Sequence, residues 1–159
     1  DRVDLSLDGE RVVVSDYKSG KGTKYAKLTD DPFAAGTTLQ LGMYAEGALE
    51  ATGATAARAD YWMVQHGDRR HGYEWTDALR ALFVVVLGVI VDGIEAGAFA
   101  AVPGEWDTYR MTNANCTYCE FDRLCQRSRG DQAAAKADDP QRAVRAGLEP
   151  PVDEPGAAS

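Results

Sequence analysis

The first part of the chain alternates apolar and polar residues, as a half-buried β-strand does. Apolar side chains recur at every second position from Val3 to Leu7, and a largely apolar run at residues 11–18 follows a short turn at Asp8-Gly9. The pattern predicts a β-hairpin made of residues 1–7 and 11–18. Residues 20–36, which contain a proline and several glycines, predict a loop.

The next segments predict a helix and two further strands. Thr38 is the expected cap of a helix that runs to about Thr52 and is ended by Gly53. Residues 57–65 and 71–75 carry aromatic side chains of the kind that favour strands. We therefore expect two more strands to join the hairpin in one sheet.

A second, longer helix is predicted after these strands. Thr76 or Asp77 is expected to cap it, and Gly97 to end it. Its apolar residues recur at helical spacing and are expected to form the main core stripe. These residues are Leu79, Leu82, Phe83, Val86, Leu87, Ile90 and Ile94. Strands that alternate with helices predict an α/β fold.

Composition agrees with one globular domain followed by a tail. The chain is 45% hydrophobic and 26% charged, which is ordinary for a globular protein. Residues 137–159, rich in Ala, Pro, Asp and Glu, predict a disordered or linker tail. The longest apolar run, residues 81–91, is too short for a bilayer, which takes about 20 residues. We expect no membrane partner, and reduced cysteines without an export signal predict a cytoplasmic protein.

The net charge of −8 does not by itself favour a nucleic-acid partner. The charges are unevenly distributed, however, because acidic residues concentrate in the tail while residues 110–136 carry more basic than acidic side chains. Lys18, Lys21, Lys24 and Lys27 form a second basic stretch. Either stretch could neutralise phosphates, and either is equally compatible with a solvated surface.

The end of the second predicted strand carries candidate chemistry. Asp16 and Lys18 project to the same face, because alternate residues of a strand do so. A carboxylate is a ligand that Mg²⁺ prefers, and a divalent ion promotes phosphodiester hydrolysis. Lys18 could orient the attacking water or offset negative charge on the phosphate. A second carboxylate is needed, and Asp1 or Asp4 is available; solvated charges at a strand end would give the same pattern.

An apolar run that leads into Asp-Tyr-Lys-Ser-Gly resembles the core of the PD-(D/E)XK nuclease superfamily, and within it the RecB/AddB-type branch. The resemblance implies that Asp1 and Asp16 are metal ligands, that the Tyr17 backbone carbonyl completes the coordination, and that Lys18 is catalytic. It implies a structural role for Asp4. It further implies a restriction-endonuclease-like mixed sheet flanked by helices, whose first helix and strand would precede Asp1.

A second motif strengthens this resemblance. Gln40 and Tyr44 match the Gln-x-x-x-Tyr motif of the same branch. Residues four apart share one face of a helix, which suits two polar groups directed at a DNA strand or at Lys18. An ordinary amphipathic helix with a half-buried tyrosine would give the same spacing.

The three cysteines of the chain, Cys116, Cys119 and Cys125, are clustered with the spacing C-x2-C-x5-C. Three clustered cysteines argue against a disulfide framework and favour a metal site. The resemblance implies a [4Fe-4S] cluster, as in AddB-like and Cas4-like nucleases, with a fourth cysteine expected upstream of residue 1. A zinc site completed by His66 or His71, or three reduced thiols without metal, are the alternatives.

Together these features predict a Mg²⁺- or Mn²⁺-dependent DNA exonuclease of RecB type. The nuclease domain is expected at residues 1–136, with the cysteine segment at 110–130 as a carboxyl-terminal lobe. The implied partners are DNA, as a single strand, and a helicase domain or subunit that acts in repair or recombination. The alternatives are a Cas4-like nuclease of CRISPR adaptation and a DNA-binding scaffold module without catalysis.

Overall fold

The computed structural model describes residues 1–67, 69–146 and 148, without the side chains at 141, 145 and 146. The described chain forms two compact units. The first contains residues 1–90 together with Leu148, and the second contains residues 91–146.

A mixed four-stranded sheet is the centre of the first unit. Its strands are β1 (Arg2–Leu5), β2 (Arg11–Lys18), β3 (Ala56–Met63) and β4 (Arg70–Trp75), in the order β1-β2-β3-β4. The pairs β1–β2 and β3–β4 are antiparallel, whereas β2 and β3 are parallel. The sheet agrees with the mixed α/β architecture expected from the sequence.

Two helices accompany the sheet: α1 (Gln40–Thr52) and α2 (Asp77–Glu95). Gly53 ends α1 as predicted, and the Thr76 hydroxyl caps α2 by accepting a hydrogen bond of 3.2 Å from the Leu79 amide. The prediction that Thr38 caps α1 is wrong. Leu39 occupies the cap position, and the Thr38 hydroxyl instead donates to the Pro32 carbonyl.

The hydrophobic core lies on one face of the sheet. The buried side chains Val12, Val14, Ala57, Ala59, Tyr61 and Met63 of β2 and β3 belong to the same cluster as Leu41 and Ala45 of α1 and Phe83 and Val86 of α2. The predicted stripe of α2 is therefore correct at its centre. It is wrong at Leu82 and Ile94, which are 44% and 56% exposed, because only a narrow side of the helix is covered.

The second unit contains only short elements among the residues described. The strands β5 (Trp106–Asp107) and β6 (Thr112–Asn113) form an antiparallel pair, and α3 (Arg129–Ala135) and α4 (Pro140–Ala146) follow. Helix α4 falls in the predicted tail, of which residues 147 and 149–159 lie outside the described part of the chain. Within the described part, none of the helices has the length and apolarity needed to cross a bilayer.

Candidate active site

Asp16 is the buried carboxylate of the site. It occupies the core-facing side of β2, two residues after Val14, and its residue is 3% exposed. Its Oδ2 atom lies 2.8 Å from the Lys18 Nζ atom, which makes an ion pair. Apart from this ion pair, Oδ2 has no polar partner among the described residues. A buried carboxylate oxygen thus retains a lone pair for a further ligand.

Lys18 is held by three different groups. Its ammonium contacts Asp16, donates a hydrogen bond of 3.2 Å to the Gln40 Oε1 atom, and lies 5.0 Å from the ring centroid of Tyr61. Tyr61 is 2% exposed, and burial raises the pKa of its hydroxyl to about 12, with smaller contributions from Tyr25 and from the charge of Asp16. The phenol therefore stays neutral beneath the lysine at neutral pH.

Helix α1 links this pair to the amino-terminal aspartate. Gln40 and Tyr44 lie about one turn apart on the same face of the helix. The Gln40 Nε2 atom donates a hydrogen bond of 3.0 Å to the Tyr44 hydroxyl oxygen. The Tyr44 hydroxyl in turn donates to the Asp1 Oδ2 atom at 3.1 Å. Side-chain contacts therefore run without a break from Asp16 through Lys18, Gln40 and Tyr44 to Asp1, which we call the polar relay.

The strand register also brings Asp1 to this end of the sheet. Arg2 faces Ser15 across the β1–β2 pair, so continuing the register by one residue places Asp1 level with Asp16. Asp4 lies elsewhere, because it accepts hydrogen bonds from the exposed Arg2 guanidinium at 2.7 and 2.8 Å. The structure thus gathers the two predicted aspartates at one end of the sheet and leaves Asp4 outside the polar relay.

The Tyr17 side chain lies on the opposite face of β2. Its ring makes an edge contact with Trp62, with centroids 5.4 Å apart. This is the alternation expected of a strand, and it leaves only the backbone carbonyl of Tyr17 for the predicted coordination.

The donor set of the polar relay fits a hard divalent cation. Asp1 and Asp16 supply carboxylate oxygens, and Mg²⁺ commonly takes one or two carboxylates and completes its shell with water and substrate oxygens. In the described part of the chain, no group of three His, Cys, Asp or Glu side chains is placed to hold a metal ion. A cation at this site would therefore depend on water, substrate and backbone oxygens as well as on the two aspartates.

Sequence reasoning missed the role of Tyr61. It lies beneath Lys18 because Asp16 and Tyr61 are paired in the parallel register of β2 and β3. The sequence marks Tyr61 only as one aromatic residue of a predicted strand. No local pattern reports which residue of a neighbouring parallel strand will lie beside the aspartate.

The cysteine segment belongs to the second unit. Cys116 is half-buried, Cys119 and Cys125 are exposed, and all are free thiols. In the described residues they are not gathered with each other or with His, Asp or Glu into a metal-binding group. His66 and His71, the alternative zinc ligands, belong to the first unit. Three thiolates alone also fall short of the four ligands that a [4Fe-4S] cluster needs.

Comparison with known proteins gives one match. A family model of the PD-(D/E)XK nuclease superfamily matches residues 1–126. No curated protein and no solved structure matches the chain. The matched range includes every residue of the polar relay and the three cysteines.

Proposed function

Because the chain belongs to the PD-(D/E)XK nuclease superfamily, we propose that it is a Mg²⁺- or Mn²⁺-dependent DNA exonuclease of RecB type. Nucleases of this superfamily generally use divalent metal ions. The observation that carries the proposal is the polar relay, which joins two carboxylates to one ammonium at the end of the central sheet.

The proposed roles follow from the contacts of each side chain. Asp1, Asp16 and the Tyr17 carbonyl would hold the divalent ion, which supplies Lewis acidity toward a phosphoryl oxygen. Lys18 orients the attacking water and offsets the negative charge that develops on the phosphate. Gln40 fixes the Lys18 ammonium by accepting its hydrogen bond, and Tyr44 fixes the Asp1 carboxylate by donating one.

Replacing Asp16 by asparagine tests the proposal. The Asp16→Asn variant keeps the shape of the side chain and removes its charge, so we expect Mg²⁺-dependent cleavage of single-stranded DNA to fall about 100-fold or more. Asp4→Asn is the matched control on the opposite face and is expected to cleave at the normal rate. Unchanged cleavage by Asp16→Asn would reject the site. DNA binding without cleavage by the unmodified protein would favour the scaffold alternative.

The cysteine segment carries a separate proposal. We propose that Cys116, Cys119 and Cys125 bind a [4Fe-4S] cluster with a fourth ligand from outside this trio, and zinc is the alternative metal. Their spacing supports the proposal. We propose a helicase domain or subunit as partner on the resemblance to the RecB/AddB-type branch, and a cytoplasmic location because the three cysteines form no disulfide.

A further inference from the structure

A cavity lies beside the polar relay, and the proposed mechanism uses only one of its residues. It has a volume of about 340 Å³ and is lined by residues 18–25, which directly follow Asp16 and Tyr17 along the chain. Lys18 belongs both to the cavity wall and to the polar relay. The other lining groups include two more lysines, Lys21 and Lys24, and the hydroxyls of Ser19 and Thr23.

Lys18 is paired with Asp16, but the charges of the other two lysines that line the cavity are not neutralised by described side chains. Lys21 and Lys24 are exposed, and neither makes an ion pair with an acidic side chain within the described ranges. The Lys24 ammonium instead lies 4.6 Å from the ring centroid of Tyr25. Five arginines of the same unit, by contrast, are paired with carboxylates, as Arg11 is with Glu74. The cavity lysines are therefore available to an anion.

The cavity wall is anchored to the sheet at two points. Gly22 is buried with a left-handed φ of 76°, and a Cβ atom there would lie 2.7 Å from the Met63 sulfur. Tyr25 is buried and stacks on Tyr61 with centroids 4.1 Å apart. Both anchors rest on the sheet face that carries Asp16, so the loop is held in place next to Lys18.

We infer that this cavity binds the backbone phosphate of the substrate strand that neighbours the phosphate being cleaved. The inference rests on the proposed function and names the part of the strand that this loop would hold. Lys18 both contacts Asp16 and lines the cavity, so a strand with its scissile phosphate at Asp16 would have a neighbouring phosphate next to Lys21 and Lys24. A volume near the low end of ligand sites, which span about 300–1,000 Å³, suits a phosphate and part of its sugar.

The lining groups also indicate how the strand is recognised. Lysines and hydroxyls are donors for phosphate oxygens, and contacts to phosphate position a strand without reading its bases. We therefore expect the cavity to contribute affinity that depends on salt and is independent of sequence.

The test compares lysines inside and outside the cavity. Binding of a fluorescent single-stranded oligonucleotide is measured across a salt series in EDTA, which removes the metal needed for cleavage. Lys21→Ala and Lys24→Ala should each lower the slope of log affinity against log salt by about 0.7. Lys27→Ala is the matched control, because Lys27 is exposed in the same segment but does not line the cavity. Lys21→Arg and Lys24→Arg should restore the slope.

A chemical change in the strand locates the contact. Single neutral methylphosphonates are placed at successive positions of the oligonucleotide. A methylphosphonate at one of these positions should weaken binding to the unmodified protein and leave binding to the Lys21→Ala/Lys24→Ala variant unchanged. This is the behaviour expected when that phosphate and the cavity lysines interact directly.

Several outcomes would overturn the inference. If Lys24→Ala and Lys27→Ala lower the salt slope equally, the lysines contribute only through the overall charge of the segment and the cavity is not a phosphate site. If inorganic phosphate displaces the oligonucleotide from the unmodified protein at constant ionic strength, but not from the Lys21→Ala/Lys24→Ala variant, the cavity is a site for free anions. If Asp16→Asn abolishes cleavage but the cavity variants bind normally, the subsite fails while the proposed function stands. If the unmodified protein neither binds nor cleaves DNA, both fail.

Discussion

Tyr44 illustrates how a residue can act on the proposed chemistry without meeting the substrate. Its hydroxyl receives a hydrogen bond from Gln40 and donates one to Asp1, so a single oxygen joins helix α1 to the first carboxylate. Asp1 lies at the exposed end of the polar relay, where Tyr44 is its hydrogen-bond partner. We therefore regard Tyr44 as a positioning residue for the metal ligand.

The Tyr44→Phe variant tests this role. Loss of the hydroxyl frees Asp1 while the ring keeps its packing, so the Mg²⁺ concentration that gives half-maximal cleavage should rise about 10–100-fold. Cleavage at saturating Mg²⁺ should recover most of the normal rate. Tyr109→Phe, which removes the hydroxyl of an exposed tyrosine in the second unit, is the control and should leave the metal dependence unchanged. The same Mg²⁺ dependence in Tyr44→Phe and in the unmodified protein would exclude a positioning role.

The sequence predicts which side chains of the candidate site share a face, because its motifs specify local spacing. Asp16 and Lys18 share a strand face by alternation, and Gln40 and Tyr44 share a helix face by helical periodicity. Neither rule gives the position of Tyr61, which depends on the parallel register between β2 and β3. Residues that reach the site across strands are therefore the ones that sequence reasoning misses.

Among the elements, α1 comes unusually close to its neighbours at Gly42. A Cβ atom on Gly42 would lie 2.9 Å from the Phe83 ring and 3.1 Å from the Trp75 ring. Both rings are buried, so neither has free space into which to move. Gly42 lies between Gln40 and Tyr44 along the helix. Its close contact with the two rings therefore helps to set the distance between the sheet and the part of α1 that carries these two side chains.

Two glycine substitutions in the same helix should have opposite effects. Gly42→Ala adds a methyl group to a filled space, and we expect it to destabilise the protein by about 1–3 kcal/mol. Gly47→Ala, at an exposed position with open space around it, should stabilise the helix by up to about 1 kcal/mol. Urea unfolding of both variants measures the difference. Equal effects would show that helix propensity, rather than packing, controls both positions.

Glu46 joins α1 to two other elements. Its Oε1 atom accepts hydrogen bonds of 2.5 Å from the Trp75 indole of β4 and from the Arg80 guanidinium of α2. The hydrogen bond from Arg80 is the main cause that lowers the pKa of Glu46, and the bond from Trp75 lowers it further against the opposing effect of burial. A carboxylate with a lowered pKa contributes stability above its unfolded pKa and loses it as the pH falls through its folded pKa.

The Glu46→Gln variant should therefore be less stable than the unmodified protein at neutral pH. The difference in the midpoint of urea unfolding should shrink as the pH is lowered from about 4.3, the ordinary pKa of a glutamate, through the folded pKa of Glu46. Glu50→Gln in the same helix is the matched control, because Glu50 is exposed and has no salt bridge in the described residues. A difference that persists at low pH would mean that packing, not charge, is lost.

At the scale of the whole molecule, burial is very unequal between the two units. Apart from Pro103, the buried apolar side chains of the described chain lie between Val12 and Val86. In residues 91–146 the large apolar side chains are mostly exposed. These are Val91, Ile94, Phe99, Trp106, Tyr109, Met111, Tyr118, Phe121 and Leu124. A segment of this size without a hydrophobic core is the kind that depends on a metal or another constraint for its stability.

This imbalance gives the cysteine proposal a physical basis that can be tested. If metal binding supplies folding free energy to residues 91–146, Cys119→Ser should remove the visible absorption and the bound iron and sulfide, and should lower the thermal unfolding temperature. Asp16→Asn, in the other unit, should leave the iron content unchanged. If the purified protein contains stoichiometric zinc and no iron, the site is a zinc site and the cluster proposal is wrong. If the protein is metal-free and unfolds at the same temperature as Cys119→Ser, the three cysteines are reduced thiols and no metal contributes to stability.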